Sequence, residues 1–136
     1  MTPTVLPITL TIAAAAAVLH IWLAARVSQL RNRHKVSIGD GGNEALVRRM
    51  RAHANYGENM PVVLILLALL ELAGGDPRIL WGAAILFVVA RILHAFGMDR
   101  AHPSRARAFG MIGSTLALLI LVGYAIFIVY RHPPAL

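Results

Sequence analysis

Arg51-Ala52-His53-Ala54-Asn55-Tyr56-Gly57-Glu58-Asn59-Met60-Pro61 runs directly into Val62-Val63-Leu64-Ile65-Leu66-Leu67-Ala68-Leu69-Leu70. The second half is an uninterrupted apolar run that only a membrane favours, and the first half delivers polar side chains to its edge. At about 100° per residue, Arg51, Asn55 and Glu58 fall within roughly 60° of one another on a helix. Glu44 and Arg48 extend the same stripe. Charged groups at the mouth of a membrane helix are costly unless they face protein, water or a ligand, so the stripe is a candidate site. A solvated helix start is the simpler reading; it accounts for Arg48 and Arg49 but not for Glu58, two residues from the apolar run.

Composition places the whole chain in the same class. With 58% hydrophobic residues and only 14% charged among 136, and a mean hydropathy of +0.68, it is far more apolar than a soluble domain of this size. The net charge of +7 gathers at helix ends and connections, the pattern of membrane topology; no nucleic-acid recognition module fits. There is no cysteine, so any thiol chemistry needs a thiol brought in.

Four spans are expected in a single all-α domain over 1–136: about 5–27, 44–73, 78–98 and 104–130. Val5 to Ala25 extends about 31 Å as a helix, enough to cross the hydrocarbon core. Met1 to Thr4 carry no basic residue, so a retained helix is expected rather than a cleaved signal. Arg31 to Gly42 reads as a turn-rich loop and Asn43 as the cap of the second helix. The last span, Ala108 to Tyr130, carries no charge, with Pro103 before it and Pro133-Pro134 after it. Met60–Leu70 and Ile79–Ala90 are only 11 and 12 uncharged residues long, so spans two and three must carry polar residues into the membrane zone. Gly110, Gly113 and Gly123 offer close packing on the last helix.

Gly74-Gly75 makes spans two and three an antiparallel hairpin. From position 75, Glu58 lies 17 residues before and Arg91 16 after; Asn55 lies 20 before and His94 19 after. Arg91, His94 and Met98 share a stripe of their own, so one polar cleft is expected, with Glu58 beside Arg91. A purely structural Glu58–Arg91 pair and a packed His94 are the alternatives to a binding role. His20 stands alone and reads as structural. No two histidines are spaced i, i+3 or i, i+4, so no helix chelates by itself and no metal is expected. Lys and Arg crowd loops one and three, which predicts that those loops and the cleft face the cytoplasm, with both termini outside.

The run Arg51-Ala52-His53-x-Asn55-x-x-Glu58-Asn59 with Pro61, and Arg91-Ile92-Leu93-His94-Ala95-Phe96-Gly97-Met98, resemble the second- and third-helix motifs of the MAPEG family, the membrane-associated proteins in eicosanoid and glutathione metabolism. The bacterial branch is the nearest match. The resemblance covers nearly the whole chain and implies a homotrimeric integral membrane four-helix bundle in the bacterial inner membrane. It implies glutathione as thiol co-substrate, held between subunits by Arg51, Asn55, Glu58, Arg91 and His94. Arg107 matches the arginine that stabilises the thiolate in several members, while Arg105 and Arg100 serve topology. The implied activity is glutathione transferase or peroxidase action on a lipophilic small molecule, a detoxification chemistry. Where many eukaryotic members carry a tyrosine, this chain has Met98, whose thioether cannot donate a hydrogen bond to sulfur. A catalytically inert glutathione-binding scaffold is therefore one alternative. A small multidrug exporter using Glu58 is another, disfavoured because the arginines around Glu58 repel cationic cargo.

Overall fold

The computed structural model describes residues 5–102 and 104–131; Met1 to Thr4, Pro103 and Pro133-Pro134 lie outside the described residues. Within them are four helices: α1 (Pro7–His34), α2 (Glu44–Leu72), α3 (Pro77–Met98) and α4 (Arg105–Arg131). All four are long and apolar enough to cross a membrane, and the protein is an all-α, membrane-spanning bundle.

Helix ends follow local chemistry. Asn43 caps α2 as its position suggests, its side chain accepting from the Leu46 N–H at 3.0 Å, and Asp76 caps α3 by accepting from the Arg78 N–H at 2.8 Å. The far end of α1 departs from the expected loop at Arg31, because the helix continues to His34. Arg31, Arg33 and His34 put positive charge against its carbonyl end. The helix stops only where Lys35 turns left-handed, with φ of 54°, and the Val36 N–H bonds back to the Arg31 carbonyl at 3.0 Å.

The other end of α1 is held from outside. Glu71, near the end of α2, accepts from the Ile8 and Thr9 backbone N–H groups, each at 2.8 Å, and from the Thr9 hydroxyl at 2.7 Å. One carboxylate thus satisfies donors that an isolated helix leaves open, at the positive end of the helix dipole.

The dry core runs through Ile12, Leu19 and Leu23 of α1, Val63 and Leu67 of α2, Leu80 and Phe87 of α3, and Ala117 and Leu121 of α4. Nearly half of the apolar stretch of α3 is buried, against a sixth of that of α4, so α3 is central and α4 peripheral. The outward faces carry Ile65, Leu69, Ile112, Leu119 and Ile126, an apolar surface suited to acyl chains. The α3–α4 contact is close because of glycine. A Cβ on Gly110 would come within 2.5 Å of the His94 backbone nitrogen, and one on Gly113 would meet the Ala90 Cβ at 3.0 Å. Gly123 has open space instead, so of the three only Gly110 and Gly113 serve packing.

Candidate functional site

At the end of the bundle carrying the first and third loops, α3 places Arg91 inward, 5% exposed. Its Nε donates to the Ser114 hydroxyl at 2.7 Å and its Nη1 to the Asn55 side-chain oxygen at 2.5 Å. The Ser114 hydroxyl in turn donates to the Gly110 carbonyl at 2.6 Å. The guanidinium also lies 5.4 Å from the Phe87 ring centroid. Helices α2, α3 and α4 are thereby joined by one cation and neutral acceptors, with no carboxylate among its partners in the described residues.

The expected Glu58–Arg91 pair is not formed. Glu58 is exposed, as is Arg51, and neither has an ion pair among the described residues. Asn55, not Glu58, meets Arg91, about one helical turn from the level that residue number implies. The long arginine stem reaches toward the polar end of the bundle, as such side chains do at a membrane edge. His94 is buried, at 5% exposure, packed where Gly110 of α4 comes closest. Of the anticipated site residues, the structure therefore joins Asn55 and Arg91, sets His94 one turn further along α3, and leaves Arg51 and Glu58 open on α2.

Arg107 is exposed in the first turn of α4. Its position is set by the backbone: Ser104 Oγ accepts from the Arg107 N–H at 3.2 Å and donates to the Gly97 carbonyl at 3.1 Å. Gly97 abuts the Arg107 backbone so closely that a side chain there has no room. Met98 is buried, at 8% exposure, and occupies packed space. The groove between α1 and α3, about 530 Å³, is lined by Val18, Trp22, Ile92 and Phe96 among others and holds none of these polar residues.

One member of the Arg91 group and two further polar clusters are not marked by any pattern in the sequence. Ser114 lies within the uncharged α4 span, and its only hint was a hydroxyl four residues after Gly110. Arg26 of α1 and Arg49 of α2 both bind Asp99 beyond α3, Arg49 at 3.2 Å, and Arg49 also donates to the Arg26 carbonyl at 2.9 Å. His20 of α1 meets His53 of α2, with Nδ1 and Nε2 separated by 3.3 Å. The histidine spacings along single helices do not report on such a pair between helices.

Compared with known proteins, residues 9–127 match the MAPEG family. The chain is 30% identical over 96 residues to the inner membrane protein YecN of Escherichia coli K12, covering 71% of this chain and 72% of that protein. The YecN of an Escherichia coli O6:H1 strain matches to the same extent.

Proposed function

The chain belongs to the MAPEG family, and on that premise we propose that it binds glutathione at the Arg51, Asn55, Glu58 and Arg91 end of the bundle and presents the thiol to a lipophilic electrophile. The observation carrying this reading is that Arg51 and Glu58, exposed and without an ion pair among the described residues, share a helix with Asn55, which holds the buried Arg91. Glu58 suits the glutathione amino group and the arginines suit its two carboxylates. Arg107 is the cation for the thiolate, lowering the cost of forming the nucleophile. A single chain offers these groups an open surface rather than a cavity, which favours the homotrimer that the family resemblance implies, with a neighbouring subunit as the second wall. By the loop charges, this end faces the cytoplasm.

Calorimetric titration of the detergent-solubilised protein with glutathione tests the reading. Arg51→Ala is expected to weaken binding at least ~30-fold, the scale of losing one charged partner; unchanged affinity removes the assignment. A glutathione-binding protein without catalysis is the second reading, favoured by Met98, and the absence of thiolate absorbance near neutral pH selects it.

A further inference from the structure

Arg26 of α1 is buried, at 8% exposure, 19 positions or about 29 Å along the helix from Pro7, which puts it at the boundary of the hydrocarbon core. Phe96 lies the same 19 positions beyond Pro77 on α3, and because α1 and α3 run in the same direction the two come level. The Trp22 and Phe96 ring centroids stand 5.5 Å apart, and the Arg26 guanidinium carbon lies 4.6 Å from the first and 5.6 Å from the second. Both rings also line the groove of about 530 Å³ between α1 and α3, with Val18, Leu19, Val88 and Ile92 along its length. One aromatic pair thus joins an apolar groove to a charged cluster. Val18 and Ile92 are exposed on the groove, so it opens toward the bilayer, where an acyl chain fits it and water finds no polar partner.

The charged side has positive charge in excess. Arg26 and Arg49 share one carboxylate, that of Asp99, and no other acid pairs with either among the described residues. Arg100, exposed and next in sequence to Asp99, adds a third cation. Each guanidinium offers five N–H donors. Arg26 gives one to Asp99, and Arg49 gives one to Asp99 and one to the Arg26 carbonyl. None of the remaining donors is a buried group without a partner, so they are within reach of the surface. We propose that the α1–α3 groove holds an acyl chain of an anionic phospholipid whose phosphate sits on the outer donors of Arg26 and Arg49. Guanidinium matches phosphate in charge and geometry, and basic pockets between membrane helices at headgroup level recognise anionic lipids. A choline lipid brings a cation of its own to a site already positive. An uncharged lipophile gains from the groove alone.

Native mass spectrometry of protein stripped of lipid in dodecyl maltoside, then mixed with phosphatidylglycerol or phosphatidylcholine of identical chains, tests the site. About one phosphatidylglycerol per chain should be retained, at least ~10-fold in preference to phosphatidylcholine. Arg49→Gln, which leaves Asp99 paired with Arg26, should reduce that retention ~5-fold, the effect of one basic residue beside an anionic headgroup. Val18→Trp, filling the groove from its exposed side, should reduce retention of both lipids, while Arg78→Gln at the opposite end of α3 changes neither. Millimolar inorganic phosphate should not displace the lipid, and displacement would overturn the role of the groove. Equal retention of the two lipids by the unaltered protein, a comparison independent of how any variant folds, overturns the site. Full retention of phosphatidylglycerol in both Arg49→Gln and Val18→Trp does the same. Either result stands apart from the glutathione reading, because no residue is shared.

Discussion

Arg91 of α3 donates to the Asn55 side chain of α2 at 2.5 Å, while Glu58, the acid on the same stripe as Asn55, stays exposed and unpaired among the described residues. A buried cation held only by neutral acceptors keeps its full charge, and an exposed acid remains free for an incoming ammonium group. On the proposed reading, this leaves both charges available to a zwitterionic, doubly carboxylated ligand, where an internal ion pair would cancel them before any ligand arrived.

Binding and stability should separate at Arg91. Ser114→Ala and Asn55→Ala each remove an acceptor from a buried donor, and each should lower stability by about 1–3 kcal/mol. Arg91→Met, apolar and similar in length, should cost little stability because no charge is left stranded, yet it should abolish glutathione binding. Thermal unfolding in detergent, run beside calorimetry, checks the contrast; parallel losses in both measurements for Arg91→Met contradict it.

Gly110→Ala and Gly97→Ala should lower the melting temperature, because the added methyl meets backbone atoms of the neighbouring helix and packed interiors tolerate overfilling poorly, at about 1–3 kcal/mol. Gly123→Ala meets nothing within 4 Å and should be neutral or slightly stabilising through helix propensity. Equal melting temperatures for Gly110→Ala and Gly123→Ala would show that α3 and α4 are not in close contact.

Glu71→Ala should loosen the first turn of α1 specifically. Three hydrogen bonds to Ile8 and Thr9 disappear, a loss of about 0.5–2 kcal/mol by analogy with helix caps. Hydrogen exchange at the Ile8 and Thr9 amides reads this directly, with the α3 amides around Phe87 as the unaffected control.

Arg107→Ala should raise the pKa of bound glutathione and slow conjugation while leaving ground-state binding nearly intact, because its contribution falls on the charged sulfur. Arg105→Ala should matter less. Met98→Tyr should add thiolate absorbance where the new hydroxyl reaches the sulfur, although Met98 is buried and the larger ring requires its neighbours to move. An ultraviolet thiolate titration identical in all three variants and the unaltered protein removes Arg107 from the chemistry.

Hydropathy, proline and glycine placement, and the chemistry of Asn43 determined the four membrane helices and the capped start of α2, because these depend on the chain within a turn or two. The same local logic located Asn55, Arg91 and His94 at one end of the α2–α3 hairpin, since residue number sets depth along a straight helix. Only the tertiary structure decided which of these groups touch. Helix tilt, rotation and the reach of a long side chain moved Arg91 from Glu58 to Asn55, and α4 supplied Ser114 from a stretch that carries no charge. The meeting of His20 with His53, and of Arg26 and Arg49 with Asp99, joins residues between 33 and 73 positions apart. Their proximity arises from how separate helices pack, which no periodicity within one helix records.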